Sequence, residues 1–184
     1  MLKTVDLLWQ LAVDRHGFVT TREATAAGVA PTELVKLAHR GRLERPVHGV
    51  YRVPYVPVGP LDDYMLATLW PAGRGVISHE TALQLHDLCD IEPERIHITV
   101  PPGYRPRRHG GELYVIHHEH LGAEDLTWHE GIRIVTPARA IEQAIETHVA
   151  PHLVGQAIEM ARQRGALTPY QLERLERLRR GQRP

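Results

Sequence analysis

Histidines and carboxylates are concentrated between residues 117 and 129, and zinc hydrolases use side chains of these types as ligands. Such an enzyme would need two histidines and a carboxylate, but the spacing here matches no recognised zinc signature. If the stretch begins as a strand, His118 and His120 face one way and His117 faces the other. We therefore interpret it as the polar end of a strand, with a metal-dependent hydrolase as the alternative. The residues concerned are His117, His118, Glu119, His120, Glu124, Asp125 and His129.

A second candidate for chemistry is the run Ser78-His79-Glu80, whose residue types are those of a serine hydrolase. Ser78 also fits the N-cap of a helix, where its hydroxyl would accept a hydrogen bond from an unpaired backbone N–H. The sequence contains neither a nucleophile elbow nor a glycine-rich phosphate loop. We therefore predict that the protein is not an enzyme and uses no metal or cofactor.

Basic residues at three further places could bind an anion. Arg139 falls in the first turn of a predicted helix, where a cation opposes the helix dipole. We predict a buried ion pair between Arg139 and a core carboxylate, with contact to an RNA, a nucleotide or an acidic partner as the alternative. A Pro/Gly-rich loop and the last helix carry the other two sets, which are either solvated or additional phosphate contacts. These sets are Arg105, Arg107, Arg108 and His109 in the loop, and Arg174, Arg177, Arg179, Arg180 and Arg183 in the helix.

Polar residues between positions 21 and 48 are candidates for contact with duplex DNA. In a helix over residues 31–41, Thr32 and Lys36 lie away from the apolar side chains and would reach base edges in the major groove. Arg40 and Arg42 would reach phosphates. A hairpin tip with Arg45 and His48 would touch the backbone or the minor groove. Thr21 and Arg22 would hold a phosphate at a helix N-terminus. The full candidate set is Thr21, Arg22, Thr32, Glu33, Lys36, His39, Arg40, Arg42, Arg45 and His48.

The elements that must position these residues follow the order of a winged helix-turn-helix. A first helix is predicted over residues 4–15, and Phe18 and Val19 form an extended link. Thr20 and Glu23 then fit a capping box for a short helix. Gly28 tolerates the positive φ of the turn that follows, and Pro31 suits the first position of the next helix. Two short strands within residues 42–53 form the hairpin.

A stiff connector with three prolines in residues 54–60 marks the predicted domain boundary. We expect a winged helix-turn-helix in residues 1–56 and a mixed α/β domain in residues 60–184, which makes the fold class α+β. In the second domain, the patterns predict strands at residues 96–100, 113–117 and 132–135. Predicted helices occupy residues 61–70, 78–88, 137–146, 151–164 and the stretch from 168 onward.

The charge of the 184-residue chain is balanced overall but not along its length. Its 22 basic and 22 acidic residues give a net charge of zero. Residues 1–58 carry eight Lys/Arg against five Asp/Glu, and this basic surplus suits phosphate contact. Cys89 is the single cysteine, so no internal disulfide can form. With no signal peptide or long apolar run in the sequence, we expect a soluble, cytoplasmic protein.

Several segments resemble the AbiEi-like antitoxins of type IV (abortive-infection) toxin–antitoxin systems. The similar segments are residues 17–20, 24–28, 41–52, 77–83, 96–101 and 131–139. The resemblance implies a transcriptional autorepressor that binds an inverted-repeat operator in duplex DNA, with two copies per operator. It also implies a functional link to a nucleotidyltransferase-like toxin. The alternative to DNA binding is a winged helix that serves only as a protein-interaction module, for which the zero net charge is the best support.

Overall fold

A computed structural model describes residues 4–106 and 110–181. The predictions for Arg107, Arg108, His109 and Arg183 concern residues outside these ranges. The chain forms two compact units: Met1–Gly75 with Arg105–Gly110, and Val76–Tyr104 with Gly111–Pro184. The first unit thus includes the proline-rich connector at residues 54–60. Within the described ranges, none of the helices is long and apolar enough to cross a membrane.

The first unit combines helices with a small antiparallel sheet. The elements are α1 (Thr4–Ala12), β1 (Phe18–Thr20), α2 (Thr21–Ala26), α3 (Pro31–His39), β2 (Glu44–Val47), β3 (Val50–Arg52) and α4 (Asp62–Leu69). The strand order is β1-β3-β2, and Phe18 pairs with Arg52 while Thr20 pairs with Val50. The residues predicted as an extended link are thus a paired strand, and the predicted first helix ends in a 3-10 turn at Val13–Arg15.

One apolar cluster holds the first unit together. It draws side chains from α1, α2, α3 and β3, and from the segment that follows β3. Leu8, Ala24 and Leu34 are completely inaccessible to solvent. Because α2 and α3 both bury one face in this cluster, their opposite faces are left to solvent.

The second unit is a five-stranded sheet with four α-helices in the described residues. The elements are β4 (Val76–Ile77), α5 (His79–Leu85), β5 (Ile96–Val100), β6 (Tyr114–His118), β7 (Leu126–His129), β8 (Ile132–Val135), α6 (Pro137–Glu146), α7 (Pro151–Gln163) and α8 (Pro169–Gly181). The strand order is β6-β5-β4-β8-β7, with parallel pairs β5/β6 and β4/β8 and antiparallel pairs β4/β5 and β7/β8. Helix α6 packs against α5, α7 and α8.

Helices and strands mix in both units, so the chain is a mixed α and β protein, in agreement with the sequence. The predicted starts at Pro31, Pro137, Pro151 and Pro169 are confirmed, since each proline begins a helix. Thr136 caps α6 by accepting a hydrogen bond from the Arg139 backbone N–H. Strands β4 and β7 were not predicted: one has only two residues, and the other has the mixed sequence LTWH.

Candidate nucleic-acid interface

A tight turn between α2 and α3 sets the geometry of the candidate interface. The capping box is confirmed: the Glu23 N–H donates to Thr20 Oγ1 at 3.2 Å, and the Thr20 N–H donates to Glu23 Oε2 at 2.9 Å. The turn passes through Gly28 at a φ of 89°, and the Val29 N–H donates to the Ala24 carbonyl at 2.9 Å. Because Ala24 is small and fully buried, α3 can pack closely against α2.

Helix α3 has one buried face and one exposed face. Leu34 and Leu37 are buried in the apolar cluster. The outward positions recur at intervals of three and four residues, as on one side of an α-helix. Four side chains make up this exposed stripe, which we call the α3 stripe: Thr32, Val35, Lys36 and His39. The stripe brings together three of the predicted contact residues and adds Val35, an apolar residue outside the predicted set, which holds polar side chains alone.

The remaining predicted residues of α3 flank the stripe. Glu33 is half-buried, whereas the four residues of the stripe are exposed. Arg40 follows the last helical residue, and Arg42 comes two residues later; both are exposed. A cation at the C-terminal end of a helix is favoured by the helix dipole.

The β2–β3 hairpin turns at His48 and Gly49, where Gly49 has a φ of 77°. Arg45 belongs to strand β2 instead of the tip, and its Nη2 lies 2.8 Å from His48 Nδ1. The Arg45 guanidinium also lies 5.8 Å from the ring centre of Tyr51, within the range of a cation–π contact. These contacts restrict Arg45 while leaving its side chain exposed.

Two backbone N–H groups at the start of α2 are already bonded within the protein and are not free to bind a phosphate. The Thr21 N–H donates to the Gly49 carbonyl at 2.9 Å, and the Glu23 N–H is bound by Thr20. The Thr21 hydroxyl contacts the same Gly49 carbonyl at 3.4 Å. Thr21 therefore joins α2 to the hairpin turn, while Arg22 is exposed.

Three histidines form a cluster in the second unit that was not predicted from the sequence. The rings of His79 and His117 stack with centres 3.4 Å apart, and His117 Nε2 lies 3.2 Å from His97 Nδ1. The parallel pairing of β5 and β6 brings His97 and His117 near each other. Burial first, then the neighbouring His117, His97 and Arg139, lower the pKa of His79 to about 3. Burial, then His97 and His118, lower the pKa of His117 to about 4.

The predicted role of Ser78 as a side-chain cap is wrong. Ser78 occupies the N-cap position of α5, but its hydroxyl accepts from Thr99 Oγ1 at 2.9 Å and lies 3.0 Å from His79 Nδ1. Gln143 Oε1 accepts from the His79 backbone N–H instead, at 3.0 Å. Because Ser78 is fully buried among these partners, it is not placed as an exposed nucleophile.

The histidines considered for zinc lie in different surroundings. His117 joins the partly buried cluster with His79 and His97, whereas His129 meets His86 edge to face, with ring centres 6.5 Å apart. Among residues 4–106 and 110–181, no group of three or more histidine, cysteine or acidic side chains is arranged to hold a metal ion.

Arg139 lies in an ion-pair network inside the second unit. Its Nη1 donates to Glu142 Oε2 at 2.6 Å, and its Nη2 pairs with Glu119 and lies 3.5 Å from Glu146. Glu142 also accepts from Arg174. The predicted ion pair with a buried carboxylate is thus present in Arg139–Glu142, with Arg139 itself half-buried, and it accounts for an arginine in the first turn of α6.

Comparison with known proteins locates two similarities. Residues 6–54 match the family described as "Transcriptional regulator, AbiEi antitoxin", which confirms the resemblance over that segment. The Rv2827c protein of Mycobacterium tuberculosis has a similar fold, with a TM-score of 0.55 and 20% identity. The alignment covers 100% of this chain and 73% of the mycobacterial one. No curated protein matches this chain.

Proposed function

We propose that this chain is a cytoplasmic, DNA-binding regulator, since residues 6–54 match the AbiEi family of antitoxin transcriptional regulators. In this proposal, residues 1–56 are a winged helix-turn-helix in which α2 and α3 form the helix pair and the β2–β3 hairpin forms the wing. The observation that carries the proposal is the α3 stripe. A nine-residue helix buries Leu34 and Leu37 and exposes Thr32, Lys36 and His39 on the other side.

In this proposal α3 enters the major groove. Thr32 and Lys36 lie in its first two turns and contact base edges, and the lysine ammonium can donate to O6 or N7 of guanine. Arg40 and Arg42, at the end of the helix, bind phosphates, and Arg45 and His48 bind the backbone beside the hairpin. Thr21 and Arg22 approach a phosphate, mainly through the exposed Arg22 guanidinium.

The regulator we propose is an autorepressor that binds an inverted repeat upstream of its own gene. A single small winged helix buries too little surface for tight specific binding, so two copies would occupy one operator. The copies would follow the two-fold symmetry of the DNA.

We also propose that the protein is the antitoxin of a type IV system, opposing a nucleotidyltransferase-like toxin. The support is the family description over residues 6–54, and residues 60–184 would carry this second role. A variant can separate the two roles: Lys36→Ala should abolish repression in cells and leave protection against the co-expressed neighbouring toxin unchanged. If Lys36→Ala loses protection as well, the two roles do not divide between the predicted domains.

The test of DNA binding compares the purified full chain on a duplex from its own upstream region with a scrambled duplex, at two salt concentrations. Tighter binding to the upstream duplex that weakens steeply with salt would support the regulator, because phosphate contacts release counterions. Equal or absent binding at low salt would overturn it and favour the protein-interaction module.

Lys36→Ala supplies the residue-level test, with Arg162→Ala as its matched control. Arg162 is exposed on α7 and pairs with Glu159. Arg162→Ala therefore removes the same unit of charge as Lys36→Ala, far from α3 in the sequence. We expect Lys36→Ala to lose about tenfold or more on the upstream duplex and to lose its preference over the scrambled duplex, whereas Arg162→Ala should bind as wild type. Unchanged binding by Lys36→Ala would contradict the role given to α3.

A further inference from the structure

Val35 is an apolar residue in the middle of the otherwise polar α3 stripe. It is the fifth residue of the nine in α3, and 49% of its surface is exposed. Its neighbours on the stripe are Thr32, one turn earlier, and Lys36. An exposed valine alone is ordinary on a protein surface, so its position among candidate base contacts is what gives it meaning.

The fold does not account for a valine at this position. The inward face of α3 is completed by Leu34 and Leu37, and Val35 is not a member of the apolar cluster. A β-branched side chain also loses rotamer freedom in a helix, so alanine would favour the helix more. The two methyl groups of Val35 therefore contribute little to the stability of the unit.

The chemistry of the major groove provides a partner for those methyl groups. Among the base pairs, the C5-methyl of thymine is the apolar group displayed in that groove, and apolar side chains contact it in DNA complexes. Given the proposed function, on which this inference rests, we infer that Val35 packs against a thymine C5-methyl and specifies an A·T pair at one position of each half-site. Thr32 and Lys36 would supply the adjacent polar contacts.

The test removes the methyl group from the DNA and from the protein separately. Two duplexes of the upstream region are prepared, one with thymine and one with deoxyuridine at every thymine position. Deoxyuridine pairs as thymine does but lacks the C5-methyl. The full-length wild type, Val35→Ala and Val58→Ala are titrated against both duplexes. Val58 is a matched control because it is an exposed valine outside α3.

We expect the wild type and Val58→Ala to bind the deoxyuridine duplex about fourfold more weakly for each half-site, which is the loss for one buried methyl group. Val35→Ala should bind the thymine duplex more weakly and should be less sensitive to deoxyuridine by that same factor. The midpoint temperature of thermal unfolding of Val35→Ala should be at least as high as that of the wild type. Misfolding would then not explain its weaker binding.

The outcomes distinguish this inference from the proposed function. If the wild type binds neither upstream duplex, the proposed function fails. If the wild type prefers the upstream over the scrambled sequence but does not respond to deoxyuridine, or if Val35→Ala responds as strongly as the wild type, Val35 does not contact thymine. If Val35→Ala is instead less sensitive to deoxyuridine than the wild type, replacing single thymines of the upstream duplex identifies which position of the half-site Val35 contacts.

Discussion

Arg52 donates a hydrogen bond from Nη2 to Oδ2 of Asp62 at 3.3 Å, and both residues are buried. The same Nη2 donates to the Val56 carbonyl at 2.9 Å, and the Gly59 N–H donates to Asp62 Oδ1 at 3.1 Å. The connector between β3 and α4 is therefore closed by one ion pair. The pair lies within the first compact unit, which includes both the connector and α4.

Removing the carboxylate of Asp62 should destabilise the first unit strongly. Asp62→Ala would leave the buried Arg52 guanidinium with only the exposed Glu44 carboxylate, 3.9 Å from its Nη1, as a charged partner. Breaking a buried pair in this way costs about 3 kcal/mol. Asp63→Ala is the matched control because the neighbouring Asp63 is exposed. The free energies of unfolding of both variants can be measured with urea. A loss for Asp62→Ala no larger than that for Asp63→Ala would mean that the pair does not hold the connector.

The sequence predicted those features that depend on neighbouring residues. The capping box of Thr20 and Glu23, the helix starts at prolines and the turn at Gly28 each follow from a few consecutive side chains and their hydrogen bonds. The opposite faces of α3 could be predicted as well, since helical spacing alone separates Leu34 and Leu37 from Thr32 and Lys36.

The features that were missed depend on residues brought together from distant parts of the chain. His79, His97 and His117 meet because β5 and β6 pair in parallel and α5 begins beside them, and no local pattern encodes that register. Ser78 is next to a helix start, as predicted, but its hydroxyl bonds to Thr99, which is 21 residues away. The Arg52–Asp62 pair likewise crosses the proline-rich connector that suggested a boundary.

Acid should destabilise the second unit because its clustered histidines are neutral in the folded state. The pKa values of His79 and His117 are lowered from 6.5 to about 3 and about 4, chiefly by burial. In the unfolded chain both imidazoles titrate near their ordinary value of about 6.5. Between these values the unfolded state binds protons that the folded state does not. The contribution of the two neutral histidines to the free energy of unfolding is therefore complete above pH 6.5. It is lost as the pH falls toward 4 and then 3.

The pH dependence can be measured as urea unfolding at about pH 7.5 and about pH 5. His117→Gln should lose less stability between the two conditions than the wild type, for two reasons. It removes one titrating ring, and it removes the repulsion from His117 that lowers the pKa of His79. His120→Gln is the control, since His120 is exposed outside the cluster. Equal pH slopes for all three proteins would show that the cluster does not determine acid stability.

Arg139 should stabilise the second unit through its ion-pair network. The shape of its guanidinium should matter as well as its positive charge. Arg139→Ala leaves Glu119 without this cation and Glu142 with Arg174 alone, so we expect a loss of about 3 kcal/mol in the free energy of unfolding. Arg139→Lys should recover only part of that loss, because an ammonium cannot bind two carboxylates with the fixed fork of a guanidinium. The exposed Arg162→Ala should unfold as the wild type. A full recovery by lysine would contradict the geometric role.

Arg42 and Arg45 should set the salt dependence of DNA binding without setting its sequence preference. Both are exposed, and the contacts of Arg45 with His48 and Tyr51 hold its guanidinium near the hairpin turn. If each neutralises one phosphate, Arg42→Ala or Arg45→Ala weakens binding to upstream and scrambled duplexes by the same factor and lowers the slope of log K against log salt by about 1. Fluorescence anisotropy over a salt series measures both quantities. Arg162→Ala should leave the slope unchanged. An unchanged slope in Arg42→Ala and Arg45→Ala would place the phosphate contacts elsewhere, and a loss confined to the upstream duplex would indicate that these arginines contact bases.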